Sequence, residues 1–380
     1  MSRSLLVVAG EISGDMHVAP IVEALQRENP DWSVWGVGGD ALRRTGMDIL
    51  YDVRDMAVLG LYEVLKRYGF FRRVFNDLVR RMEEKRPDAV LLVDYPGFNL
   101  RFAREAHRRG IKVIYYICPQ VWAWHRSRMK RMAQWVDHLL VIFPFEVEVF
   151  KDTGLRVDFV GHPLVAATQR ALVAPAVDLP WPPGDTRVAV LPGSRRQEIE
   201  RILPVMLEAA ERLKQQRPSC TFLIAAPSAR IAALIEPYLE AHTDLPVAVV
   251  QGETRQVLRQ ARAAMVASGT ATIETALMGC PMIVVYKTAP LTYWFGKRLI
   301  RVPYLGMVNI VADKLLCPEF LQEAAMPTAM AAAMQDLIDE TPERAAMLAG
   351  LQGIAARLGD VDAAATAAKL IGADLLEGKT

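Results

Sequence analysis

Metal-binding and redox signatures are missing from this chain. Its four cysteines, Cys118, Cys220, Cys280 and Cys317, are scattered without a CxxC pair, each among apolar residues where a thiol packs as a small hydrophobe. The six histidines form no HExxH pair. The one D-x-D triplet, Asp360 to Asp362, falls in an Ala-rich tail remote from any strand end. These absences point to metal-independent chemistry without a cofactor, in a reducing compartment. Long apolar runs are lacking too: none approaches the ~18 to 20 residues of a membrane-spanning helix, so any membrane contact is expected to be peripheral. The first ten residues are too short an apolar run for a signal peptide and meet Glu11 and Asp15 with no small-residue cleavage site. Charge of one sign is also scarce. With 45 Lys and Arg against 43 Asp and Glu, the net charge of +2 excludes a dedicated nucleic-acid binder.

What the chain does have is enough apolar residue for a large interior. At 380 residues and 52% hydrophobic it is a globular chain too long for one ordinary core, because single cores stop growing near ~250 to 300 residues. Short, nearly continuous apolar runs recur at 5–10, 88–95, 112–117, 138–143 and 157–161, then at 188–193, 221–226, 247–250, 263–269 and 282–287. Separated by charged helical stretches, they read as parallel strands covered on both faces. The expected fold is α/β: two Rossmann-like doubly wound domains facing a cleft. The proline-rich segment APAVDLPWPPGD (174–185) marks the boundary between a domain at 1–170 and one at 186–357. The Ala-rich end, 358–380, has no strand to feed and is expected to return as a terminal helix that completes the first domain.

Ligands of open parallel sheets bind beyond the carboxyl ends of the strands, so polar residues there carry the functional argument. In VAVLPGSRRQEIER (188–201) a strand breaks at Pro192 and Gly193, and a helix opens at Ser194 and Arg195. Helix N-terminal amides and a guanidinium fork suit a phosphate; the plain alternative is a helix cap with surface arginines. No GK[ST] follows, which excludes a Walker A loop. VASGTATIETALMG (266–279) repeats the junction with Ser268, Gly269 and Thr270, and carries Glu274 one turn inside, where a carboxylate can accept both ribose hydroxyls. Its alternative is a capping-type start with Glu274 in solvent. Two such junctions in one domain favour a nucleotide site.

In the first domain VDYPGFN (93–99) sets Asp94 where a strand stops, a position for a general base or for a turn-stabilising aspartate. The loop AGEISGD (9–15) brings Glu11, Ser13, Gly14 and Asp15 after the first strand, where the glycines have the simpler use of turning the chain. The stretch 59–82 steps through Leu61, Leu65, Tyr68, Phe71, Phe75 and Leu78 with Lys66, Arg67, Arg72 and Arg73 between them and Tyr62 and Phe70 beyond that face. That is the pattern of a basic amphipathic helix on an anionic membrane, or of a helix packed on its sheet. ICPQVWAWHRSRMKR (117–131) adds Trp122, Trp124 and a cluster of Arg126, Arg128, Lys130 and Arg131 that reads equally as a solvated face.

Taken in order, AGEISGD, VDYPGFN, CPQVWAW (118–124), FPFE (143–146), VGHP (160–163), LPGSR (191–195) and ASGTATIE (267–274) closely resemble the lipid-A-disaccharide synthases, from the first strand to about Asn309. The resemblance implies an inverting glycosyltransferase of GT-B architecture. It would join UDP-2,3-diacylglucosamine to 2,3-diacylglucosamine 1-phosphate (lipid X), releasing UDP and forming the β-1,6-linked precursor of lipid A. By the same resemblance Asp94 is the base on the acceptor 6-hydroxyl. Some members carry a second acid after the proline, where this chain has Gly97. Gly193, Ser194 and Arg195 would hold the donor diphosphate, with Ser268, Gly269 and Thr270 along the phosphate or sugar. Glu274 would hold ribose and Asn309 would contact the nucleotide side. Leu61, Tyr62, Leu65, Tyr68 and Phe71 would dip into the inner leaflet of the cytoplasmic membrane, and a second copy of the chain is a candidate partner. Two other readings compete: a UDP-sugar 2-epimerase of the same architecture, and a membrane-surface nucleotide-binding scaffold.

Overall fold

The computed structural model describes residues 3–56, 68–121, 126–289, 293 and 302–377. The chain divides into two compact units, Met1–Pro163 with Asp360–Thr380, and Leu164–Gly359. The first holds a seven-stranded parallel sheet in the order β3-β2-β1-β4-β5-β6-β7. Its strands are β1 (Ser4–Ala9), β2 (Ser33–Gly38), β3 (Asp48–Asp52), β4 (Ala89–Val93), β5 (Lys112–Tyr116), β6 (His138–Val141) and β7 (Arg156–Phe159). The second holds six parallel strands in the order β10-β9-β8-β11-β12-β13. These are β8 (Thr186–Leu191), β9 (Cys220–Ala226), β10 (Val247–Gln251), β11 (Ala263–Ala267), β12 (Met282–Tyr286) and β13 (Glu319–Leu321).

Each of the ten apolar runs forms a strand, and the central ones are buried along their length, as sheets covered by helices on both faces require. Three strands carry no comparable sequence signal. β2 is interrupted by Gly36, β3 begins and ends on aspartate at the sheet edge, and β13 is three residues long. The first-strand loop is shorter than the sequence suggests: helix Ile12–Glu28 already contains Ser13, Gly14 and Asp15.

The strand orders fix where function can lie. In the first sheet the order reverses between β1 and β4, and in the second between β8 and β11. These are the topological switch points at which open α/β sheets leave a crevice. Register makes the loops neighbours: Ala9 lies opposite Val93, and Leu191 opposite Val266, so each pair of strands ends together. AGEISGD and VDYPGFN therefore leave the first sheet side by side, and LPGSR and ASGTATIE leave the second the same way.

The segment before β8 belongs to the second unit because its carbonyls are held there. Arg259 donates to the Ala171 and Ala174 carbonyls, and Gln260 donates to Val177 while accepting from the Trp181 indole. The unit boundary thus falls at Pro163, ahead of the proline-rich stretch.

The terminal helix Ala363–Glu377 is tied to the first unit through Asp374, which is 3% exposed. Its carboxylate meets His138 Nδ1 at 2.6 Å and Arg156 at 3.1 Å, its carbonyl accepts from Lys112 Nζ at 2.7 Å, and His138 Nε2 faces Asp158 at 2.8 Å. Arg156 and Asp158 are half-exposed, but His138 and Asp374 are buried and Lys112 nearly so, and removing one partner of a buried pair typically costs ~3 to 5 kcal/mol. Asp374→Ala is expected to lose about 3 kcal/mol in urea unfolding, by the same argument; an unchanged midpoint would show that the cluster contributes nothing.

Candidate active site

At the first switch point the backbone leaves β4 in an unusual way. Asp94 and Tyr95 both take left-handed φ, 44° and 48°, a region that non-glycine residues enter only when their surroundings hold them there. Three elements do so. The Asp94 amide donates to the Tyr116 carbonyl at 3.0 Å, and its carbonyl accepts from the Tyr115 hydroxyl at 2.5 Å and from Asn99 Nδ2 at 2.9 Å. Asn99 is fully buried, and the same amide nitrogen reaches the Val93 carbonyl at 3.0 Å and the Val8 carbonyl at 3.3 Å, joining the ends of β1 and β4. A side chain at Gly10 would collide with the Tyr95 ring, so only glycine lets the two strand ends lie this close.

The Asp94 side chain is half-buried in this frame. Burial pushes the Tyr115 phenol well above its ordinary value, and the negative charge of Asp94 adds to the effect. The Cys118 thiol is likewise raised by burial first, then by Glu146 and by Asp94. Cys118 and Glu146, the latter 1% exposed, thus bring FPFE into the same neighbourhood. His162 of VGHP packs its ring 5.1 Å from that of Phe143. Burial, with His17 nearby, lowers its pKa to about 3, which leaves it a neutral ring near neutral pH.

Neighbouring residues of the first loop divide by exposure. Ser13 is exposed and Glu11 half-buried, while Gly14 packs on Val93. Asp15 is 3% exposed and accepts from the amides of Gly39, Ala41 and Leu42 at 2.6, 2.9 and 3.2 Å. Its carboxylate holds the start of helix Asp40–Arg44, with both oxygens accepting.

At the second switch point Gly193 has φ 115° and Ser194 and Arg195 are exposed. One carboxylate gathers the group. Glu198 Oε2 accepts from the Ser194 and Arg195 amides at 2.8 and 3.1 Å, and its Oε1 accepts from the Arg195 guanidinium at 3.1 Å. The donors proposed from sequence for a phosphate thus already converge on an anionic group, an internal one three residues along helix Arg196–Gln216.

The other junction is open by comparison. Helix Thr270–Leu277 begins after Gly269, φ 143°, with no side-chain cap on its first amides. Ser268 donates its hydroxyl to the Leu305 carbonyl at 3.0 Å, which leaves the oxygen as an acceptor only. Glu274 pairs with Arg255 Nε at 2.8 Å; burial raises its pKa and Arg255 opposes the rise.

Asn309 is fully buried, and its amide is saturated. Its Nδ2 donates to the Cys317 carbonyl and to Glu319, each at 2.8 Å, and its Oδ1 accepts from the Leu316 and Cys317 amides at 2.9 and 2.8 Å. Glu319 in turn accepts from the Leu305 and Gly306 amides. Asn309, through Glu319, and Ser268 thus hold the same 305–306 segment.

Of the membrane-contact residues, Leu61, Tyr62 and Leu65 lie outside the described residues, as do Trp122, Trp124 and the side chain of Arg126. Helix Tyr68–Lys85 buries Val74, Leu78 and Met82, and Phe75 meets Phe98 and Phe102 edge to face. That part of the apolar stripe is packing. Tyr68 stands out at 56% exposure with Arg72 and Arg73 beside it, and Phe71 is intermediate. Arg128, Lys130 and Arg131 are exposed on helix Arg126–Trp135.

Two parallel α/β sheets, each with its polar loops at the switch point and the second with an uncapped helix start there, are the GT-B architecture. Solved structures of that class share the fold: the calicheamicin glycosyltransferase CalG4 aligns over 98% of both chains with TM-score 0.62 at 16% identity. The UDP-GlcNAc 2-epimerase of Neisseria meningitidis, bound to UDP-GlcNAc, aligns over 100% of both with TM-score 0.58 at 14% identity. Sequence narrows the class. The family model described as lipid-A-disaccharide synthetase matches residues 5–361, and the lipid-A-disaccharide synthase of Anaeromyxobacter sp. (strain K) is 41% identical over 364 residues, 95% of this chain and 94% of that one. The chain belongs to the lipid-A-disaccharide synthase family, the glycosyltransferases of lipid A biosynthesis.

Proposed function

We propose that the chain transfers the diacylglucosaminyl group of UDP-2,3-diacylglucosamine to the 6-hydroxyl of lipid X, forming a β-1,6 disaccharide and releasing UDP. What supports the reading is the switch point of each unit taken by itself: a braced carboxylate, Asp94, in the first, and in the second the uncapped start of helix Thr270–Leu277 next to the exposed Arg195. Asp94 takes the proton of the acceptor hydroxyl as its oxygen attacks the anomeric carbon. The bond to the UDP oxygen breaks in the same displacement, and configuration inverts. Negative charge growing on the diphosphate is met by the uncapped amides of helix Thr270–Leu277 and by the Arg195 guanidinium, without a metal. Glu274 accepts the ribose hydroxyls.

Both substrates are acylated, so the enzyme works at the inner face of the cytoplasmic membrane. No helix among the described residues is long and apolar enough to cross a membrane, and Tyr68, Arg72 and Arg73 give the exposed mixture of ring and cation that an anionic surface attracts. The test is UDP release. It is expected only when acylated donor and lipid X are supplied together; turnover of UDP-N-acetylglucosamine alone would instead favour the epimerase reading, and tight UDP binding with no turnover the scaffold.

A further inference from the structure

Glu274 is an awkward residue for a helix interior. Its side chain is 17% exposed on Thr270–Leu277, where an ionised carboxylate loses most of its hydration. One group compensates: Arg255, from helix Thr254–Gln260 beyond β10, with Nε 2.8 Å from Glu274 Oε1. The contact is charge to charge, because that Nε–H makes no aligned hydrogen bond. A pair built only to lock two helices would use the guanidinium fork in its two-bond geometry. This one engages a single oxygen, and Glu274 Oε2 has no partner among the described residues.

We propose that Arg255 is a positioning residue for the donor: it fixes one oxygen of Glu274 and leaves the other to the ribose hydroxyls. The inference rests on the ribose role proposed for Glu274. Other charged groups near this helix are committed elsewhere. Arg259 donates to Ala171 and Ala174, Arg344 to the Arg262 and Leu337 carbonyls, and Arg357 to Val311. Helix Met307–Ala312 brings no titratable residue, and Glu343 of helix Pro342–Arg357 is exposed. Arg255 is therefore the cation that faces Glu274. Without it, burial acts on the carboxylate unopposed, and protonation sets in at a higher pH.

Titration calorimetry with UDP and with 2′,3′-dideoxy-UDP, repeated across a series of buffers from acid to alkaline, tests this. Arg255→Gln is expected to weaken UDP about tenfold at the acid end, as for loss of the charge-assisted hydrogen bond from the ribose to ionised Glu274, with the deficit shrinking as pH rises. Arg255→Lys restores part of the affinity, and adding Arg255→Gln to Glu274→Gln changes nothing further. A deficit equal at every pH, or none, overturns the positioning role. Failure of the ribose reading looks different: the parent would bind UDP and its dideoxy analogue alike, and Glu274→Gln would match the parent.

Discussion

Asp94→Asn is expected to lose about 10²- to 10⁴-fold in transfer rate, the range supplied by a positioned general base, while binding UDP as the parent does. Asparagine is the informative substitution because the site demands φ 44°, which asparagine tolerates better than most residues and which would strain alanine. The bonds bracing the turn, to Tyr115, Tyr116 and Asn99, all involve the main chain of Asp94 and survive the change. Loss of turnover in a folded, UDP-binding protein would therefore be assigned to the carboxylate alone. Transfer at the parent rate would remove Asp94 as the base.

Arg195→Ala is expected to have the second-largest effect, a loss of about 2 to 4 kcal/mol in transition-state stabilisation, as for removal of one charge-stabilising donor. Structural damage cannot account for so large a loss. The side chain is 61% exposed and its partner among the described residues is Glu198 at 3.1 Å, an i,i+3 pair of the kind that contributes a few tenths of a kcal/mol. Glu198 would go on capping the Ser194 and residue-195 amides in the variant. Arg195→Lys is expected to recover only part of the rate, because an ammonium lacks the planar fork that matches two phosphate oxygens. Single-turnover kinetics with saturating donor give the result; an unchanged rate would take Arg195 out of the chemistry.

Both substitutions fall in stretches that local sequence already marks. LPGSR and VDYPGFN stand out because a buried strand must end before a polar side chain can reach a ligand, and that ending is written in adjacent residues. The groups that brace them are not. Tyr115 lies on β5 and Asn99 on the helix after β4, and only the strand order brings the hydroxyl and the amide to the Asp94 carbonyl. Arg255 reaches Glu274 from a helix nineteen positions earlier in the chain, with no local pattern to signal the pair. Glu198 was the exception within reach of the sequence, since an acid three residues into a helix is the second half of a capping box.

Other expected site residues are engaged by the chain around them, for equally local reasons. Asp15 looked like a polar group at a strand end, but lies within a helix turned toward the amides of Gly39, Ala41 and Leu42. Asn309 looked like a nucleotide contact, yet its amide is spent on the chain around Cys317 and Glu319. In the stripe at 59–82, periodicity alone could not separate Phe75 and Leu78, which pack inward, from Tyr68, which does not.

The central claim is a single displacement, with Asp94 as base and UDP as the leaving group. Proton NMR of the disaccharide formed from the α-linked donor and lipid X tests it most directly, through the coupling at the new anomeric centre. A β-1,6 linkage with one UDP released per disaccharide is predicted. An α linkage would mean retained configuration, which a single back-side displacement by the deprotonated acceptor cannot give, and would contradict the account.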